Sequence, residues 1–287
     1  MVKGTLIPIG GNEDKGYNKD SRFRLDFISD GILYRVVNES GGKNARILII
    51  TTASSIPAEV GQNYVAAFKL LGCTNVQHIF ISTKEEADRP ENIQLLKEAD
   101  CVMFSGGNQS KITLSIRKTA FHKLLKFRYK NEKFVVAGTS AGAMCMSKEM
   151  IAGGSSKESF IKGSISMRKG MNLISEIIID THFIQRGRFG RVSEAVAKFP
   201  SRIGIGLAED TGLIIKEGIC NVIGSGMVII FDPGELTHNH YKLLKEGTPL
   251  TMTHLITHVL SAGDSFNIHN RTVSVMPATN SLIEKTD

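Results

Sequence analysis

The stretch Phe134–Ser147, F-V-V-A-G-T-S-A-G-A-M-C-M-S, decides both the fold and the site that this chain can build. Its first four residues are apolar, which predicts a short buried strand. A tight turn of small residues follows at Gly138–Gly142, and helix formers follow from Ala143 onward. This context gives the G-x-S-x-G pattern its meaning, because a serine at the apex of such a turn is exposed. The sequence therefore predicts Ser140 as a nucleophile; the alternative is an ordinary strand–helix turn.

The same turn offers a backbone donor for negative charge. The N–H of Ala141 directly follows Ser140 at a predicted helix N-terminus, where partial positive charge accumulates. An oxyanion formed during attack by the serine would develop next to this group. Ala141 is therefore a candidate oxyanion donor.

Length and composition indicate one α/β domain spanning residues 1–287, with a polar tail at about 278–287. The net charge is +7, but the basic residues are scattered and no nucleic-acid-binding motif is present, so no nucleic-acid partner is expected. The N-terminus shows no signal-peptide pattern, and no apolar run is long enough to span a bilayer. These patterns predict a cytoplasmic protein with no membrane partner. Buried, reduced thiols are expected at Cys73, Cys101, Cys145 and Cys220.

Short apolar segments alternate with helical patterns through the first half of the chain. This alternation predicts a mostly parallel central sheet with helices on both faces. Beyond Ser147, the Gly153–Gly170 segment is rich in glycine, serine and lysine and is predicted to be a long loop. Short strands from Ile203 to Phe231 then predict an antiparallel C-terminal extension of the sheet. Ligands of such sheets bind beyond the carboxyl ends of the strands, so one crevice is expected at Gly10, Thr51, Gly106 and Gly138.

A serine nucleophile needs a base within reach and an acid that orients the base. His182 lies just beyond an apolar strand, where a site residue is expected. Glu209 and Asp210 follow another strand, and adjacent residues point to opposite faces, so only one of them should face the site. Asp180, close to His182 in sequence, is a competing acid.

Other histidines leave two alternatives open. An α/β-hydrolase has the chain order serine, acid, histidine, and would here need His258 or His269 as its base. The pairs His238/His240 and His254/His258 have metal-like spacing. No cysteine or carboxylate accompanies these pairs in a recognisable pattern, so no metal and no cofactor are predicted.

Arginines follow the candidate base closely, in the run R-G-R-F-G-R at Arg186–Arg191. Guanidinium groups at a cleft bind carboxylates in a bidentate manner. The alternative is a solvated basic start of a helix. The position directly after His182 favours a role in binding a substrate carboxylate.

Six motifs follow one another along the chain. They are G-G-N-E-D-K at Gly10–Lys15, F-S-G-G-N-Q at Phe104–Gln109, G-T-S-A-G-A at Gly138–Ala143, D-T-H-F at Asp180–Phe183, R-G-R-F-G-R at Arg186–Arg191 and G-I-G-L-A-E-D-T at Gly204–Thr211. Together and in this order, these motifs resemble the cyanophycinase family of serine peptidases. That family also includes aspartyl dipeptidase (peptidase E), and its fold is similar to class I glutamine amidotransferases.

The resemblance implies roles for individual residues. Ser140 would be the nucleophile, His182 the base and Glu209 the orienting acid. Gly107 and Ala141 would form the oxyanion hole. The substrate pocket would be lined by Gln109, Asp180, Thr181, Arg186, Arg188 and Arg191.

The resemblance also implies a substrate and an assembly. The substrate would be cyanophycin, a polyaspartate with arginine attached to each β-carboxylate, and the products would be β-Asp-Arg dipeptides released by an exopeptidase. The family is typically dimeric. Well-known members carry Gln where this chain has Thr181, so another β-aspartyl or Asp-X peptide stays open as the substrate. A non-catalytic module that binds Asp- or Arg-containing ligands is a further alternative.

Overall fold

Residues 2–17, 25–156 and 158–277 are described by the computed structural model. The tail predicted to be polar and frayed, at 278–287, lies outside these ranges. Helices alternate with the strands, and their bounds are α1 (Ile32–Glu39), α2 (Pro57–Leu70), α3 (Lys84–Ala87), α4 (Pro90–Glu98), α5 (Gln109–Ile116), α6 (Ala120–Asn131), α7 (Ala141–Met144) and α8 (Phe189–Lys198).

The central sheet has nine strands in the described part of the chain. In sheet order these are β15 (Thr272–Ser274), β14 (Ser265–Asn267), β11 (Ile219–Gly224), β10 (Thr211–Lys216), β1 (Thr5–Ile9), β5 (Val135–Thr139), β4 (Cys101–Phe104), β2 (Ile47–Ile50) and β3 (Val76–Ile79). The five strands β1, β5, β4, β2 and β3 pair in parallel. The other four, β10, β11, β14 and β15, pair antiparallel and extend the sheet beyond β1, as predicted.

Both faces of the parallel half are buried. Leu6 and Val136 pack into a cluster on one face, which α6 covers, while Ile7 and Ala137 pack into a cluster on the other face, which α2 covers. Neighbouring strand residues point to opposite faces, so strands that are apolar at every position need a helix layer on each side. The continuous apolar strands of the sequence are explained by this layering.

A second sheet of four strands was not predicted; it contains β13 (Ile256–Leu260), β12 (Val228–Asp232), β9 (Ile203–Leu207) and β8 (Ile177–Asp180), in that order. The predicted C-terminal extension is therefore divided, because β10 and β11 join the central sheet while β9 and β12 join this one. Glycines in β9 allow its close packing against neighbouring side chains. A side chain at Gly204 would lie 2.3 Å from Val192 of α8, and one at Gly206 would lie 2.5 Å from the Phe183 ring.

The loop predicted over Gly153–Gly170 is wrong at both of its ends. A hairpin of β6 (Glu149–Gly154) and β7 (Ile165–Lys169) pairs antiparallel there. Ile151 and Ile165 are buried in a small core together with Val192 of α8. The apolar positions are few, so the glycine and serine content hid a strand pair that tertiary packing stabilises.

All four cysteines are unpaired and buried, as predicted. Burial raises the pKa of Cys101 and that of Cys220 to about 12, so both thiols are protonated at neutral pH. Among the helices of the described ranges, none is long and apolar enough to cross a membrane.

Candidate active site

Ser140 occupies a strained turn between β5 and α7. Its φ is +50° and its ψ is −110°, values that side-chain-bearing residues rarely adopt. Glycines on both sides are required, because a Cβ on Gly138 would lie 2.6 Å from the Gly142 backbone. A Cβ on Gly142 would in turn lie 2.3 Å from the carbonyl oxygen of Phe104. The predicted strand, turn and helix around Ser140 are confirmed.

The end of β1 gathers the segments that carry the candidate catalytic residues. Three successive carbonyl oxygens each accept a hydrogen bond from a different part of the chain. The pairs are Ile9 with the N–H of Ser140 at 2.9 Å, Gly10 with the N–H of His182 at 2.8 Å, and Gly11 with the N–H of Asp210 at 2.9 Å. A rigid strand end therefore fixes the serine, histidine and acid segments relative to one another.

Ser140, His182 and Glu209 form one hydrogen-bonded chain. The Ser140 hydroxyl donates to His182 Nε2 at 3.1 Å, and His182 Nδ1 donates to Glu209 Oε1 at 2.6 Å. A carboxylate can only accept, so it fixes the proton on Nδ1 and leaves Nε2 free to take the serine proton. The ring lies directly over Gly11, where a Cβ would be 2.5 Å from it. The arrangement has the geometry of a nucleophile, base and orienting acid.

Asp210, the alternative acid, points away from His182. Its carboxylate accepts hydrogen bonds from the Ser225 hydroxyl at 2.6 Å and from the N–H of Asp14 at 3.3 Å. Burial raises the pKa of Asp210, and those two hydrogen bonds oppose the rise. Of the two neighbouring acids, the structure therefore brings only Glu209 to the histidine.

Asn12 is a site residue that the sequence analysis missed. Its side-chain amide donates to Glu209 Oε2 at 3.1 Å, so each oxygen of that carboxylate has a partner. Asn12 has a φ of +49°, a left-handed conformation that asparagine tolerates better than most residues. Its place in the glycine-rich loop after β1 was the available signal.

Gly107 lies in the loop between β4 and α5, beside the serine. Its φ is +135°, and a Cβ there would lie 2.1 Å from the carbonyl oxygen of Ala53, so only glycine fits. In the described residues, the N–H groups of Gly107 and Ala141 donate no hydrogen bond to the protein. Both donors are thus available to a ligand at Ser140.

Two cavities flank Ser140. One, of about 480 Å³, is lined by the loop after β1, by Gly107 and by His182. The other, of about 290 Å³, is lined by Gln109 and by the three arginines that follow His182, namely Arg186, Arg188 and Arg191. The crevice predicted at the carboxyl ends of the parallel strands is present, with a basic side and a mixed side.

Asp180 lies beneath the basic cavity and does not line it, contrary to the prediction. Its carboxylate is fully buried and pairs with Arg188 at 3.0 Å and with Arg191 at 3.0 Å. Burial raises the pKa of Asp180, and the guanidinium groups of Arg191 and Arg188 oppose the rise. Two guanidiniums share one carboxylate, so a net positive charge is left at this side of the site.

Thr181 is also fully buried, contrary to the prediction that it contacts substrate. Its carbonyl oxygen accepts a hydrogen bond from Arg188 at 2.7 Å, so the backbone of Thr181 helps to hold an arginine of the cavity. Gln109 likewise has its amide engaged, since it donates to the carbonyl oxygen of Ile151 at 2.8 Å. Only Arg186 is exposed among the three arginines of this cavity.

A buried carboxylate at Glu13 supports the strand that carries the serine. It accepts hydrogen bonds from Thr139 Oγ1 at 2.6 Å and from the hydroxyl of Tyr64, and it pairs with Lys15 at 3.1 Å. Burial by itself would raise the pKa of Glu13, but the Lys15 charge and the two hydrogen bonds outweigh burial and lower it. Sequence analysis did not single out this network.

We expect Glu13→Gln to destabilise the fold by about 1–3 kcal/mol at neutral pH, because the amide cannot accept all of these hydrogen bonds. A lowered pKa means that the ionised glutamate stabilises the fold above its unfolded pKa of about 4.3, and that this contribution is lost as the pH falls further. Urea unfolding at pH 7 and at pH 3 measures the difference between variant and wild type. Glu59→Gln, an exposed change on the helix of Tyr64, is the control, and an equal loss at both pH values would contradict the assignment.

The sequence that carries this site matches a known family of peptidases. The sequence profile of peptidase family S51 matches residues 29–223, more than half of the chain. The chain belongs to peptidase family S51. It is therefore a serine-type peptidase, and Ser140 lies in the S51 region together with His182 and Glu209.

Similar proteins match nearly the whole chain. The cyanophycinase of Trichormus variabilis is 35% identical over 282 residues, which are 98% of this chain and 90% of that protein. The cyanophycinase of Geminocystis herdmanii is 32% identical over 268 residues, which are 93% of this chain and 94% of that protein. A peptidase from an acI-B1 actinobacterium shares the fold, with a TM-score of 0.64 at 20% identity over 93% of this chain and 97% of that one.

Proposed function

We propose that this S51 peptidase is a cyanophycinase-like exopeptidase, which hydrolyses cyanophycin to β-Asp-Arg dipeptides through an acyl-enzyme on Ser140. The observation that carries the proposal is the Ser140–His182–Glu209 chain beside a cavity in which arginines outnumber carboxylates. The names of the similar full-length proteins support the same substrate. No metal or cofactor is part of the proposal.

In the proposed mechanism, Ser140 Oγ attacks the scissile carbonyl carbon while its proton moves to His182 Nε2. Glu209 stabilises the imidazolium that forms. The negative charge on the carbonyl oxygen is held by the N–H groups of Gly107 and Ala141. His182 then gives its proton to the leaving amine, which leaves an ester on Ser140. A water molecule repeats these steps on the ester, which releases the acid and restores the serine.

The basic cavity supports the choice of substrate. Each arginine of cyanophycin is joined through its α-amino group, so its α-carboxylate is free. Arg186 is the exposed guanidinium next to Ser140 that would bind such a carboxylate. In this proposal Arg188 and Arg191 supply positive charge, while Asp180 and Thr181 hold them in place. Arg186 would thus contact the substrate, while Arg188 and Arg191 would make the cavity positive.

A related peptidase acting on another β-aspartyl or Asp-X peptide is the alternative within the family. The substitution at Thr181 first suggested it, because a shorter side chain would weaken a contact with substrate. The buried position of Thr181 weakens that argument, since the side chain has no surface to offer a substrate. The comparisons do not favour this alternative over cyanophycin. Cytoplasmic location, a homodimer and the absence of a nucleic-acid partner complete the proposal.

The proposed function is tested by incubating the protein with insoluble cyanophycin and with short α- and β-linked peptides. We expect soluble β-Asp-Arg as the main product from the polymer, and mass analysis identifies both the dipeptide and the bond that was cut. Peptides of the α-Asp-Arg and β-Asp-Lys type separate the linkage preference from the side-chain preference. Cleavage of α-Asp-X dipeptides with an untouched polymer would contradict the proposal and favour the alternative.

A further inference from the structure

A groove lies at the amino end of β1, on the side of the sheet away from Ser140. It has a volume of about 950 Å³ and is lined by Val2, before β1, and by one face of α6. The backbone of α6 is fixed there, since Tyr129 and Lys130 accept hydrogen bonds from the N–H groups of Gly4 and Lys3. Ser140 lies beyond the other end of β1. At roughly 3.3 Å per strand residue, β1 alone separates the two places by about 17 Å.

Side chains of opposite charge, from α6 and from other elements, line this α6 groove. Lys123, Lys126 and Lys130 recur along α6 at helical spacing, so they share one face. Glu176, before β8, and Glu217, between β10 and β11, are exposed and line the same groove. Within the described residues, none of these five side chains forms an ion pair. The lysines and glutamates thus face a common groove without neutralising one another.

An aromatic surface lies on α6 beside the lysines. Phe127 lines the groove and is 59% exposed, an unusual position for a phenylalanine. A guanidinium group can stack on such a ring while its charge stays near a carboxylate. The apolar side chain of Ile268 lines the same groove. The groove therefore offers cationic, anionic and aromatic contacts together.

We propose that the α6 groove is a second binding site for the substrate polymer, remote from Ser140; this rests on the proposed function. Every repeat of cyanophycin carries one carboxylate and one guanidinium, so one repeat can pair with the lysines and with the glutamates of the groove. Nucleic acid or an anionic membrane would be repelled by the glutamates, and a polycation by the lysines. Exposed charge pairs contribute only about 0.2–1 kcal/mol each, so useful affinity requires a repeating ligand. The groove holds the insoluble polymer while chain ends enter the catalytic site.

The test uses full-length protein carrying Ser140→Ala, so that bound polymer is not degraded. Lys123→Glu combined with Lys130→Glu reverses two exposed charges in the groove, and Lys69→Glu combined with Lys84→Glu makes the same change of charge elsewhere. We expect the groove variant to cosediment with insoluble cyanophycin about 10-fold less than the control variant, as two lost charge contacts predict. With Ser140 restored, the groove variant should lose activity on insoluble polymer but keep wild-type activity on a soluble short β-Asp-Arg oligomer.

Each other outcome overturns the inference. Equal cosedimentation of groove and control variants rules out polymer binding at α6. A change of oligomeric state in the groove variant, seen by light scattering, assigns the groove to a second copy of the chain instead. Equal loss of activity on soluble and insoluble substrates points to damage at the catalytic site. If wild type neither binds nor cleaves the polymer, the proposed function is wrong, and this inference, which rests on it, is wrong as well.

Discussion

Replacing Ser140 with alanine is expected to lower the turnover of cyanophycin by roughly 10⁴- to 10⁶-fold while the protein stays folded. The hydroxyl is the group that donates to His182 Nε2, and without it no acyl-enzyme can form. The remaining activity reflects the oxyanion donors and substrate binding, which the substitution leaves in place. Release of β-Asp-Arg from the polymer, followed by mass analysis, measures the loss.

Ser274→Ala is the matched control, because Ser274 is an exposed serine of β15, the edge strand of the central sheet, and lines neither cavity at Ser140. Its activity should equal that of wild type. Ser140 adopts a strained backbone conformation, so the alanine variant is also checked by thermal unfolding, and we expect no loss of stability. Covalent labelling by a serine-reactive fluorophosphonate should occur in wild type and be absent in the Ser140→Ala variant. Retained turnover in that variant would contradict the nucleophile assignment. Absence of both turnover and labelling in wild type would instead favour the non-catalytic binding module.

Predicted residues that the structure brings together at Ser140 depend on local pattern. The turn around Ser140 requires small residues within a few positions, so its strand, glycines and helix appear together in one short stretch. His182 was found because it follows an apolar strand, and parallel strands deliver their carboxyl ends to one edge of the sheet. The arginines were found because they follow His182 closely. In each case the chain itself keeps the informative residues close together.

Residues that were missed depend on contacts between distant parts of the chain. Glu13 accepts a hydrogen bond from Thr139, 126 positions away, and Asn12 donates to Glu209, 197 positions away. No periodicity or spacing connects such partners. Burial of Asp180 was missed for a different reason, since its partners Arg188 and Arg191 are close in sequence but their pairing with the Asp180 carboxylate is known only from the structure. Strand patterns also indicate that β9 is a strand without indicating which of two sheets it joins.

The glycines after β1 and β4 are recognisable in the sequence, but the groups that they contact are not. Gly11 has the ring of His182 against it, and Gly107 has the carbonyl of Ala53 against it. Each glycine makes room for a group that arrives from elsewhere in the chain. A glycine-rich loop in the sequence therefore indicates close approach, but the approaching group is known only from the structure.

Replacing His182 with alanine is expected to lower turnover by roughly 10⁴- to 10⁶-fold, as for the serine, because the two residues act as a unit. His258→Ala should leave turnover unchanged. His258 lies on β13, where its neighbour across the sheet is Ile230, and it makes no hydrogen bond to Ser140. The pair of variants separates the observed order of serine, histidine and acid from the order of an α/β-hydrolase, in which the histidine comes last.

His182→Gln provides a second variant that keeps most of the side-chain volume over Gly11 while removing the base. If the loss of activity came only from a cavity at this position, the glutamine variant would recover activity. We expect the glutamine variant to stay as inactive as the alanine variant. A third variant, Ser140→Cys, allows the alkylation rate of the thiol to be measured, and packing alone does not change that rate. With His182 present the imidazole lowers the pKa of that thiol, so alkylation near neutral pH should be faster than with His182 replaced. Equal alkylation rates, or full activity in His182→Ala, would assign the base to another residue.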